Sequence, residues 1–315
     1  MLTSIVIRAF NEEKHIARLI EGILQQTLQE VEIILVDSGS ADHTVQIASH
    51  YPVRILHVQP EEFTFGYSLN HGIKNAAGEQ IVIASAHVYP VYPDWLEHLL
   101  APLADPQVAL AYGRQRGDGT TPFSESQIFA HWYPDHSLAR QAHPFCNNAN
   151  AAIRRSCWEL HHYDETLPGL EDLEWGNWAI HQGYAISYVA EAEVCHVHQE
   201  SPYGVYNRYR REGMAFKRIF PHEHFHLVDF LRLYLSNSAS DIWHALQQGN
   251  LRRNIIHILW FRMMQFWGTY RGFRSSGPLT HQLRQTFYYP RGFTAGEGNP
   301  RRDVKPIEYN DSRNT

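Results

Sequence analysis

The sequence has few cysteines, no excess of basic residues and no long hydrophobic run. Its three cysteines are an odd number without a C-x-x-C pair, which argues against a disulfide framework and favours a reducing, cytoplasmic compartment. The net charge of −6 disfavours nucleic-acid binding, because polyanion-binding proteins are usually basic. No run of 18 apolar residues occurs, so no membrane-spanning helix is expected, and residues 1–8 form a strand pattern too short for a signal peptide.

The apolar residues that are present alternate between strand and helix patterns. Hydrophobic residues make up 43% of the chain and charged residues 19%, as in globular proteins. Buried strands are predicted at 4–7, 31–36, 53–58 and 80–84, with helices between them at 11–24, 42–47 and 66–77. This alternation predicts βαβ units and a mainly parallel sheet, whose ligands bind at the carboxyl ends of the strands.

The pattern becomes less regular in the second half of the chain. Further strands are predicted at 108–112, 149–153 and within 185–197, a helix at 171–182, and mostly helix from residue 206 onward. The expected organisation is one α/β domain over residues 1–205, a helical C-terminal region over 206–293, and a loose polar tail over 294–315.

Four segments together carry a family resemblance. They are I-V-I-R-A-F-N-E-E at 5–13, I-L-V-D-S-G-S-A-D-H-T at 34–44, the stretch 70–96, and E-D-L-E-W-G at 171–176. Their order and spacing over about residues 2–200 resemble family 2 glycosyltransferases, and F-T-F-G at 63–66 is similar to rhamnosyltransferase-like members. The resemblance implies the GT-A fold, a Rossmann-like, mixed and mainly parallel sheet flanked by helices, with a helical C-terminal extension.

The resemblance also implies an activity. An inverting enzyme of this family would move a hexose or deoxyhexose from a UDP-, dTDP- or GDP-sugar to a hydroxyl of a glycan or lipid-linked acceptor. Asp172 would be the general base that deprotonates this hydroxyl, with Glu171 orienting it or binding acceptor hydroxyls. The residues alone leave open an acidic helix N-terminus without a catalytic role. Because G-x-G-x-x-G and a P-loop are absent, dinucleotide and ATP chemistry are disfavoured.

The resemblance places the nucleotide at the first strand ends. In the family the position of Asp37 serves the base, and a carboxylate there can accept the imide N–H of uracil or thymine. The residues alone leave another interpretation open, since Asp37 lies in a turn-forming sequence and Glu12 suits the first turn of a helix. The residues assigned to nucleotide binding are Arg8, Phe10, Glu12, Asp37, Ser38, Asn70, Ser85 and Ala86.

At the expected metal position the sequence departs from the family. The usual Asp-x-Asp, which holds Mg²⁺ or Mn²⁺ against the diphosphate, is replaced by a stretch without carboxylates that contains His87. His87 is interpreted as a metal ligand better suited to Mn²⁺ than to Mg²⁺, as a phosphate contact, or as a loop histidine without a role. His198 follows a later strand, where the family often completes its metal site, or it is one of two partly exposed strand histidines. The missing motif also leaves open a non-catalytic relative that binds sugar nucleotides or glycans.

Further basic and polar residues follow these segments. Arg208 and Arg211 lie where the family often closes a loop over the donor, and arginine binds phosphate well, although a solvated helix face is the alternative. Asn150 resembles a family position on the acceptor side. Aromatic residues and arginines in 227–274 predict either peripheral contact with the inner face of a membrane, or a core or homo-oligomer face.

Overall fold

Strands and helices alternate through the first 85 residues. The structure is a computed structural model that describes residues 2–198, 200–274 and 304–309. The strands are β1 (Thr3–Ala9), β2 (Val31–Asp37), β3 (Val53–His57) and β4 (Gln80–Ser85). The helices between them are α1 (Ile16–Leu24), α2 (Thr44–Ala48) and α3 (Phe65–Asn75), the last preceded by the 3₁₀ turn Pro60–Glu62.

The following elements complete one sheet. They are β5 (Val88–Pro90), α4 (Trp95–Leu100), the 3₁₀ turn Ala101–Ala104, β6 (Val108–Arg116), α5 (Phe123–Trp132), β7 (Asn150–Arg154), α6 (Arg155–Leu160), α7 (Glu171–His181) and β8 (Ala185–His196). The strand order in the described chain is β3-β2-β1-β4-β7-β6-β8-β5. Only β7 and β5 run against the others in these residues, which confirms the expected mixed, mainly parallel sheet.

Helices cover both faces of the sheet because successive strand side chains point to opposite sides. Ile5 and Ile7 of β1 pack into one buried cluster with α1 and α4. Val6, between them, packs into a second cluster with Leu69 of α3 and Trp175 of α7. The apolar residues of β1 are therefore buried on both faces of the sheet.

The C-terminal helices pack against the sheet domain through α7. They are α8 (Pro202–Ile219), α9 (Leu227–Gln247) and α10 (Leu251–Arg274). Phe216, Phe230 and Phe266 form a buried cluster with Leu173 of α7. Helices α8 and α10 touch at Gly272, where a Cβ atom would lie 2.3 Å from the carbonyl oxygen of Arg210. None of the helices in the described residues is long and apolar enough to cross a membrane.

Several short elements were not predicted from the sequence. Helix α5 has no clear helical apolar period, because it buries the polar Ser124 and Glu125 together with Phe129. Residues 304–309, within the predicted tail, lie beside β5, where the Ile307 N–H donates to the carbonyl of Val91 at 2.9 Å. The rest of that tail lies outside the described residues.

Candidate active site

A cleft of about 600 Å³ lies at the carboxyl ends of the parallel strands. The chain following β1 supplies Glu12, the turn after β4 supplies His87, and the end of β8 supplies His196 and His198. Strand β7 is antiparallel, so the residues before it, including Asn148, lie at the same edge. The predicted residues that line the cleft are Arg8, Glu12, Ser85, His87, Glu171, Asp172, His198, Arg208 and Arg211.

Asp172 lies buried in the first turn of α7. Its Oδ2 accepts a 3.1 Å hydrogen bond from the backbone N–H of Asn148, and its Oδ1 accepts one of 2.8 Å from the N–H of Leu173. Leu170, just before the helix, has a φ of 57°, a strained left-handed conformation of the kind often found at functional sites. Burial, and then the neighbouring Glu171, raise the pKa of Asp172 to about 7. A carboxyl group with such a pKa is suited to act as a base near neutral pH.

Three histidines meet at the centre of the cleft. One potential ligand atom from each of His87, His196 and His198 lies within 4.8 Å of those of the other two, close enough for small shifts to let them share a metal ion. The rings of His196 and His198 have centroids 4.0 Å apart, and that of His87 lies 5.0 Å from that of His196. His222, His224 and His226 form no comparable group of three within the residues that the structure describes.

A side chain from outside the cluster anchors each histidine. Nδ1 of His87 lies 2.6 Å from Oε1 of Glu12. Nδ1 of His196 lies 2.6 Å from Oε1 of Gln115, and Nδ1 of His198 lies 2.7 Å from Oε1 of Glu125. Burial, and then the neighbouring cationic groups, lower the pKa values of His196 and His198 well below the ordinary range, so both imidazoles are neutral at neutral pH. Neutral imidazole is the form that binds metals.

Two arginines flank an aromatic ring on the other side of the cleft. The guanidinium of Arg8 lies 4.9 Å from the ring centre of Phe65, and that of Arg211 lies 4.7 Å from it. Arg211 makes no salt bridge with the described carboxylates, whereas Arg208 donates to Glu125 at 2.9 Å and to Glu200 at 2.6 Å. Of the two arginines predicted to bind phosphate, Arg211 is thus the one whose guanidinium is not already held by carboxylates of the described chain.

A second cavity, of about 560 Å³, adjoins the first. It lies between the sheet domain and helices α5, α8, α9 and α10, and Asp172, His196 and His198 line both cavities. Its aromatic lining consists of Phe129, Trp132, Tyr133, Phe145, Tyr209 and Phe266. The buried carboxyl group and the histidines therefore lie where two ligand-sized spaces meet.

Asn70 and Asn150, two predicted binding residues, bond to other parts of the chain and do not line the cleft. The amide group of Asn70 donates to the carbonyl of Tyr163 and to Glu165, and accepts from the indole of Trp158 and the N–H of Tyr163. Asn150 is fully buried in β7, where its amide bonds to Arg114 and Ala192 and accepts from Trp95. Both side chains are buried and have these partners, and their predicted contacts with donor or acceptor stay predictions.

Four other predicted residues do not line the cleft. Asp37 is 2% exposed, and its carboxylate accepts the N–H groups of Gly39 and Ser40, as expected of the turn interpretation. Ser38 and Ala86 are buried, and Phe10 is 56% exposed at the surface. The structure therefore does not bring these residues together with Asp172, and their nucleotide contacts stay a prediction.

The sequence interpretation missed several residues that shape the site. The sequence interpretation places His196 and His198 on one strand face, two residues apart, but assigns only His198 to a metal, whereas the structure groups both with His87. Asn148 contacts Asp172, two positions before the assigned Asn150. Gln115 and Glu125 come from β6 and α5, and no sequence signal connects them to the histidines.

Comparisons with known proteins identify the family. The family model described as Glycosyl transferase family 2 matches residues 4–160, about half of the chain. The chain is 27% identical over 228 residues to the O-antigen chain rhamnosyltransferase RfbN of Salmonella typhimurium, covering 68% of this chain and 72% of the relative. It is 30% identical over 203 residues to the O-antigen chain rhamnosyltransferase WbaN of Salmonella anatum, covering 60% of this chain and 64% of the relative.

A solved structure supports the fold. A mannosyltransferase from Pyrobaculum calidifontis, in complex with GDP-Man and Mn²⁺, superimposes with a TM-score of 0.61 at 17% identity, covering 91% of this chain and 87% of that one. At this identity the likeness concerns the fold alone, which is the expected GT-A type. The chain belongs to family 2 of the glycosyltransferases and is a glycosyltransferase enzyme similar to the rhamnosyltransferase members of that family.

Proposed function

We propose that this enzyme inverts the configuration of a sugar as it moves it from a nucleotide diphosphate sugar to a hydroxyl of a glycan. The observation that carries the proposal is that two cavities meet at Asp172, one suited to the donor and one to the acceptor. The names of the rhamnosyltransferase relatives favour a deoxyhexose as the sugar and a polysaccharide of the cell envelope as the product. The nucleotide is uridine, deoxythymidine or guanosine diphosphate.

Asp172 acts as the general base in this reaction. An ionised carboxylate at the junction of the cavities accepts the proton of the acceptor hydroxyl, whose oxygen then attacks the anomeric carbon in one displacement and inverts it. The N–H of Asn148 holds the carboxylate in place at 3.1 Å. Arg8 holds Glu171 through a 2.9 Å ion pair, which orients the residue next to the base.

The leaving diphosphate lies between Arg211 and the histidines. Arg211 is stacked on Phe65 and presents a guanidinium suited to two phosphate oxygens. A divalent metal held by His87 and His198 would neutralise the charge that develops on the diphosphate. Ser85, at the end of β4, lines the same cleft.

The second cavity suits an uncharged acceptor sugar. Its aromatic walls offer flat apolar surface for a sugar ring, and its two arginines are already paired, Arg262 with Asp241 at 2.8 Å and Arg208 with Glu125 at 2.9 Å. A phosphate group in this cavity would lie near the carboxyl groups of Asp172 and Glu212, while both lining arginines are bound to other carboxylates. We therefore expect the glycan part of the acceptor, rather than a lipid diphosphate, to occupy this space.

The decisive experiment replaces the base. Asp172→Asn should leave the affinity for the nucleoside diphosphate unchanged and lower transfer on the order of a hundredfold or more, as loss of a general base does. Glu174→Gln is the matched control, because Glu174 lies in the same helical turn but bonds to His161. The product of the native enzyme should carry the inverted anomeric configuration by NMR. Native-like transfer by Asp172→Asn, or donor binding without transfer by the native chain, would overturn the proposal.

We also propose that the α9–α10 hairpin contacts an anionic membrane surface. Val228, Leu235, Trp243 and Ile256 are each at least 61% exposed. Between 227 and 274 the carboxylates of Asp229 and Asp241 are buried, so the exposed charges are all arginines: Arg232, Arg252, Arg253, Arg271 and Arg274. Exposed apolar side chains, together with exposed charges that are all positive, fit anionic lipid, although the chain as a whole is acidic.

Vesicle flotation tests this contact. The full chain should float with phosphatidylglycerol vesicles and not with phosphatidylcholine vesicles, and Trp243→Ser or Arg253→Glu should abolish flotation. Leu160→Ser is the control, because Leu160 is 70% exposed on α6, outside the hairpin. A dimer by analytical ultracentrifugation that Trp243→Ser dissociates, with no flotation, would instead assign the surface to contact between copies of the chain.

A further inference from the structure

The three histidines at the centre of the cleft differ in kind from a carboxylate metal site. The only cluster of three or more potential metal-binding side chains in the described chain consists of His87, His196 and His198, and it contains no carboxylate. His196 was not among the residues assigned to a metal from the sequence. Its position at the end of β8, opposite Val88 of β5, sets it beside His87.

The hydrogen bonds of the rings determine which nitrogen faces the centre. In His87 and His198 the Nδ1 atom lies within 2.7 Å of a carboxylate oxygen, so Nδ1–H donates to it and Nε2 keeps its lone pair. Nδ1 of His196 bonds in the same way to the amide oxygen of Gln115. Metal-bound histidines usually donate their second nitrogen to such an acceptor, which orients the ring and increases its basicity.

The Nε2 atom of His196 is the second observation that points to a bound ion. It is buried and has no hydrogen-bond partner among the residues that the structure describes. A buried polar nitrogen without a partner costs free energy, so such an atom usually marks a place where a ligand or ion binds. A metal ion bound by the three Nε2 atoms would remove this cost at the point where both cavities meet.

We propose that His87, His196 and His198 form a three-imidazole metal site, positioned by Glu12, Gln115 and Glu125, that selects Zn²⁺ or Co²⁺ over Mg²⁺ and Mn²⁺. Imidazole nitrogen suits the later transition metals, whereas Mg²⁺ and Mn²⁺ prefer oxygen ligands. Three protein ligands leave coordination positions open, as in catalytic zinc sites. Three neutral ligands also leave the ion its full double charge to bind a diphosphate. The site thus deepens the proposed function, while its metal binding can be measured without sugar transfer.

Metal binding can be measured on the full chain without a histidine tag. After removal of metal with a chelator, calorimetry with Zn²⁺, Co²⁺, Mn²⁺ and Mg²⁺ chlorides should give one site for Zn²⁺ and Co²⁺, with Mn²⁺ weaker and Mg²⁺ weakest. Because Zn²⁺ binds more tightly than Mn²⁺ at most sites, histidine ¹H–¹⁵N NMR must identify the ligands. On addition of Zn²⁺ the Nε2 resonances of three histidines should shift, while their Nδ1–H groups persist.

Variants separate this site from the alternatives. His87→Ala and His196→Gln should each lose Zn²⁺ affinity, whereas His224→Ala, in the other histidine-rich segment, should not. His87→Asp should lower the Zn²⁺-to-Mn²⁺ affinity ratio about tenfold, because it adds an oxygen ligand. Native Zn²⁺ binding in His87→Ala, Nε2 shifts confined to other histidines, or an unchanged ratio in His87→Asp would overturn the proposal. Zn²⁺ binding without sugar transfer would leave it standing while refuting the proposed function.

Discussion

Arg8 Nη1 donates a 2.9 Å hydrogen bond to Oε1 of Glu171, which lies 163 residues further along the chain. This ion pair joins the end of β1 to the start of α7. It holds the charge of Glu171 next to the buried carboxyl group of Asp172. Of the two partners, Glu171 raises the pKa of Asp172 and Arg8 lowers it.

The pH profile should report the titration of Asp172. Its pKa is raised to about 7, so the carboxyl group is mostly protonated below that pH and becomes a base as the pH rises through it. At saturating metal, kcat/KM should accordingly rise with pH through about 7. Glu171→Gln removes a neighbouring negative charge, so the rise should move to lower pH.

The control for this pH prediction is Glu174→Gln, which removes a charge from the same helical turn where it faces His161. In this variant kcat/KM should rise at the same pH as in the native enzyme. A ¹³C NMR titration of the Asp172 carboxyl group follows the same ionisation independently of turnover. A rise that stays at the same pH, or moves to higher pH, in Glu171→Gln would contradict the assigned cause of the pKa shift.

The carboxylate behind His87 should strengthen metal binding. Glu12 Oε1 lies 2.6 Å from Nδ1 of His87, so Glu12→Ala should weaken Zn²⁺ binding about 10–100-fold, as loss of such outer partners does. Glu12→Gln keeps a hydrogen-bond acceptor without the charge, so its Zn²⁺ affinity should lie between those of Glu12→Ala and the native protein. Calorimetry measures this, with Glu13→Ala as the control because Glu13 bonds to His43. Equal affinities in Glu12→Ala and Glu13→Ala would show that Glu12 does not act through His87.

The two arginines of α8 should behave differently when replaced. Arg211→Ala should weaken nucleoside diphosphate binding about tenfold without changing stability, because Arg211 has no carboxylate partner in the described chain. The affinity of Arg211→Lys for the nucleoside diphosphate should lie between those of Arg211→Ala and the native protein. Arg208→Ala should lower the free energy of unfolding by about 3 kcal/mol, since it leaves Glu125 and Glu200 without their cation. Calorimetry measures the affinity and urea unfolding measures the stability. Lost stability in Arg211→Ala, together with weakened nucleotide binding at native stability in Arg208→Ala, would refute the prediction.

Asn70 should matter for stability and not for the donor. Asn70→Ala removes the partners of Trp158 Nε1 and of the Tyr163 N–H, so the free energy of unfolding should fall by about 2–4 kcal/mol. Affinity for the nucleoside diphosphate should stay unchanged in the folded variant. Lys74→Ala, at an exposed position of the same helix, should change stability by no more than about 0.5 kcal/mol. A stable variant with weakened nucleotide binding would instead support the predicted nucleotide contact of Asn70.

The sheet could be predicted because its strands are continuous apolar runs. Residues that alternate faces in β1, such as Ile5 and Val6, must both be buried, and only helices on both sides of a parallel sheet achieve this. The short helix α5 could not be predicted in the same way. It packs against α9 and α10 and buries Glu125, and this burial depends on partners far away in the sequence.

The sequence by itself determined the α/β alternation, the positions of Asp172, His87 and His198 at element ends, and the missing Asp-x-Asp motif. Local patterns carry this information, because strand and helix periods act over a few residues. Only the tertiary structure decided that His196 lies beside His87 and His198, that the N–H of Asn148 bonds to Asp172, and that the amide of Asn70 bonds to Trp158. These outcomes depend on which side chains meet across the folded sheet, and hydrogen-bond partners separated by 24 to 88 residues leave no local signal.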